Sequence, residues 1–172
     1  PKTLFLPAKV KIIKAVLQRL LNDEPLQYIL GTTSFRSLEL MVTPAVLIPR
    51  PETEELVEWV LEDYKSINCK HLLIDMGTGS GCIAISLAKE QPFFNVTALD
   101  ISRKALEIAK SNAIKNKTII NFSQADITAL SSEIFPINVI VSNPPYIHPR
   151  EKKEMKNNVL NNEPPIALFV PE

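Results

Sequence analysis

The sequence predicts an α/β fold in which helices cover a parallel β-sheet. Four short apolar runs, each a candidate strand, alternate with segments of helical length over the second half of the chain. A segment with three closely spaced glycines, from Asp75 to Gly81, stands between the first of these runs and the helix that follows. Alternating strands and helices favour parallel strands joined by right-handed crossovers. These observations predict a wound parallel sheet with a glycine loop at one edge.

The composition fits a single globular domain. The chain has 172 residues, of which 45% are hydrophobic and 22% charged, which is an ordinary globular mixture. Nineteen basic residues balance nineteen acidic ones, and this argues against a dedicated duplex-binding protein. The sequence has no long apolar run and no signal-peptide pattern, which predicts a soluble cytoplasmic protein. Cys69 and Cys82 lack zinc-ligand spacing, so no metal is expected.

The first fifty residues are predicted to form a helical segment followed by a hairpin. Apolar residues at helical spacing from Ala8 to Asn22 predict an amphipathic helix. Near-alternating apolar positions between Tyr28 and Leu47 predict a short hairpin. We therefore divide the chain into a helical segment (1–30), a hairpin linker (31–50) and a main domain (51–172).

The main domain is predicted from strand and helix patterns. Pro49-Arg50-Pro51 predicts an extended turn, with Thr53 as the cap of a helix running to Tyr64. The polar stretch from Glu151 to Asn162 predicts a solvated helix or loop. The predicted strands are His71–Ile74, Asn95–Leu99, Ile119–Gln124 and Ile137–Ser142, and the helices between them are Cys82–Lys89 and Ser102–Lys115, with Ser102 as N-cap.

The glycine loop is the first candidate binding element. Gly77, Gly79 and Gly81 permit a tight turn and close approach of a ligand to the backbone, and the amides at the helix start favour anionic or electron-rich groups. Taken alone, the loop is weak evidence of a site, because a tightly packed connection between a strand and a helix would also explain it. A dinucleotide fingerprint would need glycine where this chain has Cys82, which disfavours a nicotinamide dehydrogenase.

Two carboxylates end the strands that follow. Asp100 ends the second strand, 25 residues after Asp75, where a carboxylate can accept hydrogen bonds from both hydroxyls of a ribose. Asp126 ends the third strand, and its residues alone leave adenine recognition and capping of the next turn equally open. Carboxylates at successive strand ends favour a nucleoside site.

The fourth strand runs into Asn143-Pro144-Pro145-Tyr146. The two prolines hold the backbone extended and remove two amide donors. The side-chain oxygen of Asn143 and the carbonyl of Pro144 can then accept hydrogen bonds from a planar NH2 group, while Tyr146 covers one face. The alternative interpretation is a rigid proline turn, which does not explain the flanking Asn and Tyr.

These motifs resemble a known family. The segment from Asp75 to Gly81, Asp100, Asp126 and the segment from Asn143 to Tyr146 are similar to the ordered motifs of class I S-adenosylmethionine-dependent methyltransferases that act on amino groups. DNA adenine and some rRNA guanine methyltransferases share the Asn-Pro-Pro-Tyr motif. The upstream blocks are more specific: Glu24-Pro-Leu-Gln-Tyr-Ile-Leu-Gly31 and Leu47-Ile-Pro-Arg-Pro-Glu-Thr-Glu54 resemble the HemK/PrmC family, which methylates the glutamine amide in the GGQ motif of peptide-chain release factors.

The resemblance implies a Rossmann-like fold with a small helical N-terminal segment, residues 1–30 being a remnant of a substrate-docking domain. It also implies S-adenosyl-L-methionine as cofactor, release factors as partners, no metal, and further C-terminal strands in a longer polypeptide. One departure is Phe35-Arg36-Ser37-Leu38, where the family often has Trp-Gly between the Phe and Leu. The implied cofactor residues are Asp75, Gly77, Thr78, Gly79, Ser80, Gly81, Asp100, Asp126, Ile127 and Asn143. The implied catalytic residues are Asn143, Pro144 and Tyr146, which with Pro145 bind substrate, and Arg50 and Glu52 shape the site.

Two other functions remain open from the sequence. A nucleic-acid amino methyltransferase, acting on adenine N6 or guanine N2, would present a similar NH2 group to the site, although the balanced charge argues against it. A catalytically silent nucleoside-binding module that docks on the translation machinery is the other alternative. The complete Asn-Pro-Pro-Tyr motif argues against that second alternative.

Overall fold

The computed structural model describes residues 7–129 and 137–170. The described strands are β1 (Thr32–Phe35), β2 (Leu38–Met41), β3 (His71–Met76), β4 (Phe94–Asp100), β5 (Asn121–Gln124) and β6 (Val139–Ser142). The described helices are α1 (Pro7–Leu21), α2 (Leu26–Leu30), α3 (Pro51–Asp63), α4 (Cys82–Glu90), α5 (Arg103–Lys115), α6 (Asn157–Leu160) and α7 (Pro165–Leu168), with 3-10 turns at Ile127–Ala129 and Pro149–Glu154.

The central sheet is parallel, in the order β5-β4-β3-β6. Helix α4 joins β3 to β4 and α5 joins β4 to β5, so the predicted alternation is confirmed. The strand bounds differ by small shifts, because β3 runs two residues further than predicted while β5 and β6 each start two residues later. Since the strands are parallel, the loops after Met76, Asp100, Gln124 and Ser142 meet at one edge of the sheet.

The core lies where α4 covers the sheet. The six residues from Cys82 to Leu87 are all buried, because α4 is enclosed between the strands, α3 and α5. The central strands contribute Leu73, Val96 and Val141 to the same apolar cluster. This packing fixes the glycine loop, because the loop leads directly from β3 into α4.

The N-terminal helix forms as predicted, but its apolar side is not covered by the described part of the chain. Ile12, Leu17 and Leu21 are exposed on α1. The short helix α2 was not predicted; it starts after Pro25 and ends at Gly31, whose φ of 74° is the left-handed value typical of a helix C-cap.

Helix α3 begins earlier than the sequence predicted. Thr53 as its N-cap is wrong, because Arg50 is the N-cap and Pro51 is the first helical residue. The fixed φ of proline suits that first position, where no amide hydrogen is needed. Thr53 is therefore the third residue of the helix, and it is buried.

The hairpin is confirmed, and one asparagine on α5 joins it to the glycine loop. Strands β1 and β2 pair antiparallel around Arg36-Ser37. The fully buried side chain of Asn112 on α5 accepts the backbone N–H of Met41 (2.6 Å) through Oδ1 and donates through Nδ2 to the carbonyls of Met41 (3.0 Å) and Ser80 (2.9 Å). Asn112 thus joins the hairpin to the glycine loop.

The C-terminal part returns to the same edge of the sheet. Residues 151–162 form a mostly exposed 3-10 turn and the short helix α6, as predicted. Ile147 pairs with Phe169 as a parallel bridge, which joins the segment after β6 to the segment after α7. No helix within the described ranges is long and apolar enough to cross a membrane.

Candidate active site

A cavity of about 300 Å³ opens at the carboxyl edge of the sheet. Its walls are the glycine loop, the ends of β4 to β6, the linker from Ala45 to Arg50 and the segment from Pro164 to Phe169. The predicted site residues that the fold brings together there are Arg50, Gly77, Thr78, Gly79, Ser80, Asp100, Asp126, Ile127, Asn143 and Pro145. Asp75, Gly81, Glu52, Pro144 and Tyr146 do not line this cavity.

The glycine loop turns its backbone toward the cavity. Gly77 and Thr78 donate their N–H groups to the carbonyl of Leu99, both over 2.9 Å, which fastens the loop to the end of β4. Gly79 has a φ of 55°, and a Cβ built on it meets no atom within 4 Å. Because Gly79 lines the cavity, the open space beside it is available to a ligand.

Asp75 lies behind the loop and is fully buried. Its Oδ2 accepts hydrogen bonds from the Thr78 hydroxyl (2.7 Å) and the Ala84 N–H (3.2 Å), while Oδ1 has no partner within the described part of the chain. Burial, with a smaller contribution from the charge of Asp100, raises the pKa of Asp75 to about 6. Asp75 therefore supports the loop through these hydrogen bonds and does not line the cavity.

Asp100 connects the loop to the start of α5. Its Oδ2 accepts the Gly79 N–H and its Oδ1 accepts the Ser102 N–H, both over 2.8 Å. Ser102 is the N-cap of α5, as predicted, and accepts the Ala105 N–H over 3.2 Å. Each carboxylate oxygen can accept a second hydrogen bond, so Asp100 keeps acceptor capacity toward the cavity.

Asp126 and Ile127 form the outer wall. Oδ1 of Asp126 accepts both the hydroxyl (2.7 Å) and the N–H (2.9 Å) of Thr128, and these bonds lower the pKa of Asp126. The capping alternative is therefore present in the structure. Within the described ranges no donor bonds to the remaining oxygen, Oδ2, and Asp126 lines the cavity together with the half-buried Ile127.

Asn143 follows β6 and is held by a residue from α3. Its Nδ2 donates to the Thr53 hydroxyl over 3.1 Å, and within the described ranges no donor bonds to its Oδ1. Pro145 lines the cavity beside it. Tyr146 is 75% exposed and does not line the cavity, so the stacking face predicted for it is not formed by the residues that the structure describes.

Arg50 is paired with a buried carboxylate. Its Nη2 contacts Oε1 of Glu163 over 2.6 Å, and Oε2 of Glu163 accepts the Ile48 N–H over 3.4 Å. Glu163 is only 4% exposed, so the pair fixes the linker as one wall of the cavity. Glu52, two residues further along the chain, is exposed.

Sequence reasoning missed Thr53 as a site residue, Glu163, and the apolar wall from Pro164 to Phe169. No local pattern marks Glu163, because its burial and its partner Arg50 follow from a contact between segments 113 residues apart. Across the described ranges, no group of three or more His, Cys, Asp or Glu side chains is placed to hold a metal ion.

The sequence is similar to one methyltransferase family and to curated relatives. The family described as Methyltransferase small domain matches residues 54–163. The chain is 50% identical over 159 residues to a release factor glutamine methyltransferase of Flavobacterium psychrophilum, covering 91% of this chain and 56% of the relative. A protein of the same name from Lactococcus lactis is 47% identical over 161 residues, covering 94% and 58%. The chain thus spans little more than half the length of these relatives.

Solved structures agree on the fold. The hMettl16 catalytic domain in complex with the MAT2A 3'UTR hairpin 6 aligns with a TM-score of 0.58 at 17% identity, covering 83% of this chain and 55% of that one. The Pyrococcus abyssi tRNA (uracil-54, C5)-methyltransferase in complex with S-adenosyl-L-homocysteine aligns with a TM-score of 0.53 at 24% identity, covering 76% and 31%. The fold is therefore the Rossmann-like class I methyltransferase fold, and this chain belongs to the Methyltransferase small domain family.

Proposed function

We propose that this chain transfers a methyl group from S-adenosyl-L-methionine to the side-chain amide nitrogen of the GGQ glutamine in peptide-chain release factors. The observation that carries the proposal is the free Oδ1 of Asn143 at a cavity that also contains the glycine loop and Asp100. The names of the relatives at 47% and 50% identity support the same acceptor.

The cavity residues fit the proposed cofactor. The backbone of Gly79 leaves open space, and Asp100 keeps acceptor capacity suited to ribose hydroxyls. Ile127 and Ile83 offer an apolar surface to a base, and Asp126 lies beside it as an acceptor for an exocyclic amine. When bound, S-adenosyl-L-methionine supplies an electrophilic methyl group on a sulfonium.

The chain's own contribution is to position the acceptor. Amide resonance, which gives a peptide bond a rotation barrier of about 18–20 kcal/mol, makes the amide nitrogen a poor nucleophile. In the proposed reaction the Asn143 Oδ1 and the Pro144 carbonyl accept the two N–H groups and orient the nitrogen. Those hydrogen bonds strengthen as positive charge develops on the nitrogen. The nitrogen forms its bond to the methyl carbon as the carbon–sulfur bond breaks, and it then loses one of its protons to water, with S-adenosyl-L-homocysteine as the second product. Tyr146 is exposed before the acceptor binds, and we propose that it covers one face of the bound amide.

The partner and the compartment follow from the proposed acceptor. The described part of residues 1–30 exposes Ile12, Leu17 and Leu21, which supports the proposal that this segment contacts the release factor. A cytoplasmic location fits, because Cys69 and Cys82 are both free thiols and thiols remain reduced there.

Arg50, held by Glu163, shapes the wall next to the acceptor, and Glu52 lies on the neighbouring surface.

The test is labelled methyl transfer to three acceptors: a recombinant release factor, DNA containing adenine, and rRNA. We expect label on the release factor, and mass spectrometry should place it on the GGQ glutamine. A release factor with that glutamine replaced by alanine is the matched control and should stay unlabelled. Label on DNA or rRNA in place of the release factor would refute the proposal and favour a nucleic-acid methyltransferase.

A further inference from the structure

We propose that Thr53 is a positioning residue: it accepts a hydrogen bond from Nδ2 of Asn143 and so holds the side-chain amide with Oδ1 left for the N–H groups of the acceptor. The inference rests on the proposed function and extends it to a residue outside the Asn-Pro-Pro-Tyr motif. Thr53 is 5% exposed and lines the same cavity as Asn143. The Nδ2 of Asn143 donates to Oγ1 of Thr53 over 3.1 Å.

An asparagine amide offers different chemistry on its two sides. One side is a carbonyl oxygen that accepts hydrogen bonds, and the other is an NH2 group that only donates. When Nδ2 of Asn143 is committed to Thr53, Oδ1 is the atom left for the acceptor amide. With the opposite orientation, Asn143 would present NH2 to the NH2 group of the substrate. Two donors would then face each other, and the nitrogen would lose its orienting acceptor.

The backbone that carries Thr53 is fixed independently of Asn143. The Thr53 N–H donates to the Arg50 carbonyl over 3.0 Å in the first turn of α3. The next residue, Glu54, accepts the Arg36 N–H over 2.8 Å, which joins this turn to the hairpin. Thr53 therefore reaches Asn143 from a rigid turn, 90 residues away in the sequence.

The backbone that carries Asn143 is also fixed. The Ser142 hydroxyl donates to the Met76 carbonyl over 2.7 Å, joining the end of β6 to the end of β3. Pro144 and Pro145 restrict the chain that follows. Because both backbones are held, the remaining freedom is the rotation of the Asn143 side-chain amide. Within the described ranges, Thr53 is the residue whose side chain hydrogen-bonds to that amide.

The test compares three variants of this chain. Thr53→Val keeps the shape and removes the hydroxyl, Thr53→Ser keeps the hydroxyl, and Thr97→Val is the matched control on β4, away from the cavity lining. We expect Thr53→Val to lower kcat for release-factor methylation by about ten- to a hundredfold, the scale of a misplaced reacting group. The KM for S-adenosyl-L-methionine should stay within about twofold, because the lost contact acts on the acceptor. Thr53→Ser should recover most of the rate, and Thr97→Val should match the parent.

A second readout does not depend on the acceptor. The side-chain NH2 signals of Asn143, assigned by NMR in the chain without ligand, should shift in Thr53→Val and stay close to the parent in Thr53→Ser and Thr97→Val. If the parent methylates no release factor while these signals shift as expected, the proposed acceptor fails and the orienting contact stands. Parental kcat in Thr53→Val, an equal defect in Thr53→Ser, or unchanged Asn143 signals in Thr53→Val would each overturn the inference. If Thr53→Val does not fold, Thr53→Ala takes its place with the same expectations.

Discussion

Oδ2 of Asp100 accepts the backbone N–H of Gly79 over 2.8 Å, across the gap between the end of β4 and the glycine loop. The other oxygen holds the Ser102 N–H at the start of α5. One carboxylate thus fixes the relative position of the loop and of the helix that flank the cavity. The same oxygens keep lone pairs that a ribose could use.

The first prediction concerns this carboxylate. Asp100→Ala should weaken the binding of S-adenosyl-L-methionine by roughly 1.5–3 kcal/mol, the scale of hydrogen bonds to a charged group. Calorimetry measures the change directly. Asp126→Ala is the matched control: Asp126 also lines the cavity but is exposed and already bonded to Thr128, so its loss should cost less. Equal affinities for Asp100→Ala and the parent would remove Asp100 from the ribose site.

Alanine substitutions at two glycines of the loop should affect different properties, cofactor affinity at Gly79 and folding stability at Gly81. A Cβ at Gly79 meets nothing within 4 Å and enters the space beside the cavity, whereas a Cβ at Gly81 comes within 3.0 Å of Ile85 Cδ1 and 3.2 Å of Ala109 Cβ. Both residues have positive φ, so each substitution carries about 1–2 kcal/mol of backbone strain. Gly79→Ala should therefore lose mainly cofactor affinity, and Gly81→Ala should be the less stable protein in urea. A Gly81→Ala variant as stable as Gly79→Ala would contradict this division.

The strand ends of the site were predictable from the sequence because their signals are local. Asp100 and Asn143 each end a short apolar run, and parallel strands bring such ends to one edge. The glycine loop was predictable for the same reason. A pattern read over ten or fifteen residues is enough for these features.

The supports of the site were not predictable, because they depend on contacts between distant segments. Thr53 and Asn143 are 90 residues apart, and Arg50 and Glu163 are 113 apart. The sequence around Thr53 matches the pattern of a helix cap. Because α3 begins at Pro51, Thr53 lies inside the helix and its hydroxyl contacts Asn143 after β6. In the sequence, Asn112 looks like any polar residue of a helix. Its hydrogen bond from the Met41 N–H forms only because the hairpin packs against α5.

A third prediction addresses the acceptor. Asn143→Ala removes the free Oδ1, so methyl transfer to a release factor should fall far more than cofactor affinity does, because the lost hydrogen bond acts on the acceptor nitrogen. Single-turnover kinetics gives the first quantity and calorimetry the second. Transfer at the parental rate by Asn143→Ala would refute the proposed role of this side chain.

A fourth prediction concerns Arg36, in the hairpin turn. Arg36 has a φ of 47°, a left-handed value that costs a residue with a Cβ about 1–2 kcal/mol and glycine much less. Its guanidinium offsets this with ion pairs to Glu58 (2.7 Å) and Glu90 (2.8 Å). Arg36→Ala loses the ion pairs and keeps the strain, whereas Arg36→Gly loses both.

We therefore expect Arg36→Gly to be more stable than Arg36→Ala by about 1 kcal/mol, measured by urea unfolding. The ion pairs are partly exposed and should contribute only about 0–1 kcal/mol each, so Arg36→Gly should lie close to the parent. Equal stability of the two variants would mean that the turn relaxes when the guanidinium is removed.

The last prediction is a pH dependence that arises from Asp75. Burial raises its pKa in the folded chain to about 6, above its ordinary value of 3.8. Between these two pH values the folded chain binds more protons at Asp75 than the unfolded chain does. The stability that protonated Asp75 contributes is therefore fully present below about pH 4 and is lost as the pH rises through 6, by on the order of 3 kcal/mol.

Asp75→Asn removes this titration and keeps a carbonyl oxygen that can accept from Thr78 and Ala84. Urea unfolding of both proteins from pH 4 to pH 7, without ligand, gives the difference between their free energies of unfolding. Because Asp126 and the other carboxylates are common to both proteins, their contributions cancel in that difference. We expect the parent to lose stability relative to Asp75→Asn as the pH rises through 6. Parallel curves would mean that Asp75 titrates near its ordinary pKa, and that the glycine loop is supported by a carboxylate which stays charged throughout this range.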